Sequence, residues 1–101
     1  MTTKYVSGTF AANGSSSQVN VIKNGIAFIG AAGFATFGSG TVTVQMMGAD
    51  GLWYSSQTTA TSSDVLKIDV ALPTAVRLTL TGATAPSIGY VLQSDSPVIV
   101  Q

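Results

Sequence analysis

Short runs rich in Val, Ile, Thr and aromatic residues recur along the chain, separated by clusters of Gly, Pro, Asn, Asp and Ser. Period-2 alternation bounded by turn residues is the mark of strands in a sandwich or barrel, and no window carries a helical period. The pattern predicts strands near 5–11, 18–23, 26–30, 33–37, 41–47, 52–55, 65–71, 75–81, 88–93 and 97–100. Merging of neighbours leaves about eight strands in one antiparallel β-sandwich over 1–101, with 1–4 free to act as a flexible arm. Alternation is cleanest in the second half. Val42, Val44 and Met46 share one face; Leu66, Ile68 and Val70 face inward, as do Val76, Leu78 and Leu80.

The turns have chemical signatures. Asn24-Gly25 lies between two apolar runs, and both residue types tolerate the positive φ that a two-residue hairpin demands. Asp50-Gly51 closes a second hairpin between 41–47 and Leu52-Trp53-Tyr54, and Gly38-Ser39-Gly40 links Phe37 to Thr41. The stretches 13–17 and 55–64 read as polar loops. A three-residue connection Leu72-Pro73-Thr74 predicts a third hairpin, in which Val70 opposes Val76, Ile68 opposes Leu78 and Asp69 opposes Arg77. A one-residue slip there would set apolar positions against polar ones along the whole ladder.

The first half breaks the alternation. From Ile26 to Phe37 the chain is apolar on both faces, interrupted by Gly30 and Gly33. A strand covered on both sides is either central in a core or covered outside by a neighbour. Both explanations stay open, and the candidate interface is Ile26, Phe28, Ile29, Phe34 and Phe37. Trp53 and Tyr54 join it, because adjacent strand residues point to opposite faces and one of the pair is then exposed. An exposed aromatic can anchor a protein interface or stack on a sugar ring. Against this stands the simpler arrangement, a Trp in the core with a Tyr at its rim.

Composition narrows the function. Charged residues are 8% of the chain, 4 basic and 4 acidic, with a formal net charge of zero; ordinary soluble domains have about 25%. The cations Lys4, Lys23, Lys67 and Arg77 are spread singly, whereas phosphate-backbone binding draws its affinity from clustered cations that release counterions. No nucleic-acid partner is expected. A surface this uncharged is either kept soluble by Ser, Thr, Asn and Gln or covered in an assembly. Cysteine and histidine are absent, which removes disulfides, thiolate metal sites and the commonest general base. Asp50 and Asp95 sit in turns, Asp69 is accounted for by Arg77, and no clustered Asp/Asn loop offers calcium ligands. Gly38-Ser39-Gly40 is no phosphate loop, having no following Lys-Ser/Thr. No enzyme activity, cofactor or metal is expected. Residues 1–5 carry no apolar run of signal-peptide type, and the 12-residue apolar stretch is short of the roughly 20 residues a membrane helix needs. The chain is expected to be made in the cytosol and to remain off the membrane.

Two stretches, 40–45 leading through Asp50-Gly51 to Trp53 and 72–84 (LPTAVRLTLTGAT), resemble small β-sandwich proteins that decorate or cement the heads of tailed bacteriophages. The likeness lies in strand-and-turn style and brings no site motif, so it assigns no residue a role. It implies a jelly-roll-like sandwich, self-association (often as trimers), the major capsid protein as partner and the virion as location. The expected function is therefore a structural protein on the outside of a phage shell. A tail or neck component, or a carbohydrate-binding sandwich module, is the alternative.

Overall fold

The computed structural model describes residues 5–30 and 35–94, all of them in strands, turns and connections. The strands are β1 (Tyr5–Phe10), β2 (Gly14–Ser15), β3 (Val19–Val21), β4 (Asn24–Ile29), β5 (Thr41–Met47), β6 (Trp53–Ala60), β7 (Asp64–Asp69), β8 (Thr74–Thr81) and β9 (Ile88–Ser94). They form two antiparallel sheets. One has the order β1-β9-β4-β7. The other runs β2-β8-β5-β6, with β3 also on β8.

β2 and β3 lie end to end on the same edge of β8, Ser15 opposite Thr79 and Val19 opposite Val76. They are one strand broken at Ser16. There the backbone N–H of Ser16 donates to Leu78 O (2.8 Å) while its Oγ accepts from Leu78 N (2.9 Å), so a side chain replaces the missing ladder acceptor. Counted this way the described residues form eight strands in two sheets of four. Spatial neighbours are distant in sequence everywhere except β5–β6. That connectivity is the double-sheet jelly roll, the fold class expected.

Among the described residues, fifteen buried apolar side chains form one core cluster between the sheets. Ala27, Ile29, Leu66, Ile68, Ile88 and Leu92 enter from the first sheet, and Val42, Val44, Val76, Leu78 and Leu80 from the second. The alternation read along β5, β7 and β8 names the inward face correctly in each case. Tyr90 packs its ring on Phe10, centroids 4.7 Å apart, and closes the end of the core beside β1.

Two expected hairpins do not exist. β7 pairs with β4 and β8 with β5, so the chain between them changes sheets. Asp69 lies opposite Asn24 and Arg77 opposite Gln45. The inward residues of β7 and β8 therefore meet through the core and not alongside one another. Hydropathy alternation reports only which face is buried, and both arrangements satisfy it. Asn24-Gly25 likewise opens β4 as extended chain, after Ile22 and Lys23 have carried the backbone from one sheet to the other. The two crossings are tied together, Val70 N donating to Lys23 O at 3.0 Å.

The Asp50-Gly51 hairpin is present. Gly51 N donates to Gly48 O and Gly48 N to Leu52 O, with Gly51 at φ 83°; this is a three-residue loop closed by a left-handed glycine. β6 runs on through 55–60, which the sequence suggested as loop. Gly38 and Ser39 form a tight turn with both φ positive, and a Cβ on Gly38 would collide with Thr84 O. The expected arm 1–4 and strand 97–100 lie outside the described residues. Of 33–37, Thr36 makes one bridge to Ser87.

Deleting a core side chain in such a packed layer costs about 2–5 kcal/mol. Leu78→Ala, at a fully buried position, should lower unfolding free energy by that amount in urea titration. Leu72→Ala, on the exposed β7–β8 crossing (75% exposed), should change it by less than about 0.5 kcal/mol.

Candidate functional site

The two outer faces differ in chemistry. On the second sheet, strand parity turns Thr41, Thr43, Gln45 and Met47 outward beside Arg77, Thr79 and Thr81, with Trp53, Ser55 and Thr59 on the far side. The middle of this face is a connected polar network. Gln45 Oε1 accepts from Arg77 Nε (2.8 Å) and Thr79 Oγ1 (2.7 Å), its Nε2 donates to Ser55 Oγ (3.1 Å), and Thr79 meets Ser15 Oγ at 3.0 Å. The Arg77 guanidinium lies 4.3 Å from the centroid of the Trp53 ring. This cation–π contact and the Gln45 bond hold the arginine flat on the sheet.

On the first sheet the outer face is apolar at its centre. Phe28 of β4 stands between Val65 of β7 and Val91 of β9, and Ile26 lies one row away between Lys67 and Gln93, with Tyr5 beyond Gln93. Tyr5, Phe28 and Val65 are exposed, and Ile26 and Val91 are half-buried. Contiguous apolar surface of this kind marks contact with another molecule more often than an isolated exposed side chain does.

A third feature is the β5–β6 tip. The Asp50 carboxylate accepts from Leu52 N (3.0 Å) and from the Tyr54 hydroxyl. Tyr54 shares a face with Met46, yet it is exposed, because the hairpin end extends past the core. The tyrosine hydrogen bond, helped by the Leu52 N–H, holds the Asp50 carboxyl below its ordinary range. The same bond pushes the Tyr54 phenol above its ordinary range. Beside the tip an open cleft of about 630 Å³ runs past Met46, Met47, Asn20, Asp69, Leu72 and Pro73.

The expected interface residues therefore separate. Phe28 and Ile26 are on the apolar outer face. Ile29 is buried in the core (2% exposed) and has no surface to offer a partner, because it alternates with Phe28 along β4. Phe37 is half-buried against the core, and Phe34 lies outside the described residues. Trp53 is outward and half-covered by Arg77, not a core residue, while Tyr54 is tied to Asp50. Val65, Val91 and Tyr5 complete the apolar face and were missed. Each sits beside an inward-facing apolar neighbour in sequence (Val6, Leu66 and Leu92) and joins the patch only through pairing of distant strands. Among the described residues, no group of three or more His, Cys, Asp or Glu could hold a metal ion, and no helix is long and apolar enough to cross a membrane.

No protein-family model, curated protein or solved structure matches this chain.

The tip supplies a direct test of the local electrostatics. The Asp50–Tyr54 bond requires an ionised acid and a neutral phenol. Its contribution is present above the ordinary carboxylate pKa of about 3.9 and lost as pH falls through the depressed value of Asp50. It is likewise present below about 10 and lost as pH rises through the raised value of Tyr54. Phenolate absorbance of the parent should show a tyrosine titrating above that value, and in Asp50→Asn the same step should move to lower pH.

Proposed function

We propose that this chain is a non-enzymatic structural protein of a bacteriophage virion, a homo-oligomer that binds the outer surface of the capsid through the major capsid protein and reinforces it. The observation that carries this reading is a jelly-roll sandwich with two broad, sparsely charged outer faces, one hydroxyl-rich around Arg77 and one apolar at its centre with Lys67 and Asp69 toward the β7 edge. Double-sheet jelly rolls serve in viral capsids and in lectins, and fold alone does not choose between them.

The Trp53 environment favours the shell over the sugar. A glycan platform needs an open aromatic face, and one face of Trp53 is taken by Arg77, itself fixed by Gln45. Contact area is what this surface can contribute. Apolar surface buried against a neighbouring subunit is worth roughly 25 cal/mol per Å² before the costs of association. Many copies that bind assembled shell in preference to free subunits shift the equilibrium toward the assembled state.

Particles lacking the chain should form at normal size but release their contents at lower temperature, and added protein should restore them. With so few ion pairs to screen, the restored stability should change little over a roughly tenfold range of ionic strength. Particles of unchanged heat stability that have lost tail assembly would assign the protein to the tail or neck. A glycan-array signal abolished by Trp53→Ala or Tyr54→Ala in a folded protein would favour the carbohydrate module.

A further inference from the structure

A jelly roll has four sheet edges, and each presents unpaired backbone groups that a further strand can join unless something blocks it. Three are blocked here. The β2–β3 edge is broken at Ser16. The β6 edge is interrupted by a register shift, Thr43 opposing Thr59 but Gln45 opposing Ser55, and Thr58 N turns back onto Ser56 Oγ at 3.1 Å. The β7 edge carries Asp64, Lys67 and Asp69, all exposed. Charges, breaks and bulges are the devices that keep edges from pairing.

β1 has none of them. It pairs with β9 in unbroken register from Tyr5–Gln93 to Phe10–Ile88, and its sequence YVSGTF has no charge and no proline. Among the described residues no strand occupies its other edge. Its outward side chains Tyr5, Ser7 and Thr9 are exposed. Gly8 keeps the inward side open for the Tyr90 ring, whose hydroxyl would stand 2.9 Å from any Cβ there, while Val6 and Phe10 on either side of it pack against the core.

We infer that β1 is an assembly edge, and that its occupant is β1 of a second copy, paired antiparallel about a two-fold axis at Ser7. This rests on the self-association in the proposed function and names the surface that performs it. A strand can pair with its own antiparallel image only if residues of like parity meet and no like charges oppose. With the axis at Ser7, Tyr5 faces Thr9 of the second copy and Val6 faces Gly8, and no charge meets another. An axis at Gly8 would leave the exposed Tyr5 without a cross-strand neighbour. The pairing joins two four-stranded sheets into one of eight. It also places the two apolar outer faces, with Phe28 and Val65, side by side on one continuous surface for a larger partner.

The chain has no cysteine, so single cysteines report the contact without background. Full-length Ser7→Cys should give a covalent dimer under mild oxidation, whereas Val65→Cys on the apolar face and Thr59→Cys on β6 should not. The double variant Ser7→Lys/Thr9→Lys adds charge at outward positions that touch no core residue, and it should sediment as a smaller species than the parent with unchanged near-ultraviolet circular dichroism. Cross-linking through Val65→Cys or Thr59→Cys in place of Ser7→Cys would overturn the inference, as would a lysine variant that associates like the parent. A parent monomeric at millimolar concentration would overturn it too. If that monomer still stabilised particles, the shell function would stand without the β1 edge.

Discussion

The burial of β8 and β5 against β4 and β9 is the interaction on which the rest of this structure depends. These four are the inner strands of their sheets, and Val42, Val44, Val76, Leu78, Leu80, Ala27 and Leu92 on them are fully sealed from solvent. None of the four is joined to its sheet neighbours by a short hairpin except β5 to β6. The sheets therefore cannot form one at a time from local contacts. Each waits on the chain crossing repeatedly between layers, and the gain that offsets that ordering comes from the shared core. Small features at the crossings follow from the same demand. Asn13 clamps Ala83 with both ends of its amide, at 3.0 and 2.9 Å, and Thr74 Oγ1 caps Met47 O at 2.6 Å.

With the core fixed, the two outer faces are free to differ. The centre of the hydroxyl-rich face pairs its polar groups with one another: Gln45 alone links Arg77, Thr79 and Ser55. A network of this kind holds its own side chains in one arrangement. The apolar face has no such closure. Phe28, Val65 and Val91 meet one another but leave area exposed to water, so the asymmetry assigns the unsatisfied surface to the first sheet.

Scarcity of charge shapes how this molecule meets others. With four cations and four anions, long-range steering and like-charge repulsion are both weak, and neither keeps copies apart. Backbone geometry then becomes the main guard against indiscriminate pairing. The break at Ser16 and the shift in β6 act where other proteins place lysines, and β7 keeps its own charges.

The sequence by itself determined the all-β class, most strand positions, the inward face of β5, β7 and β8, and the Asp50-Gly51 hairpin. Each of these is set within a few residues, by alternation or by one glycine's left-handed backbone. It also exposed the poverty of charge. Only the tertiary structure decided which strand lies beside which. Val76, Leu78 and Leu80 would be equally buried in a hairpin with β7 or in the opposite sheet, so local pattern could not separate Asp69 from Arg77. The same limit hid the surfaces. Ile26 and Phe28 were legible as apolar, but Val65, Val91 and Tyr5 become their neighbours only when β7, β9 and β1 are laid beside β4. Arg77 finds Trp53 only across an intervening strand. Pairing of distant segments is chosen by the sum of burial over the whole core, and no single stretch of chain contains that sum.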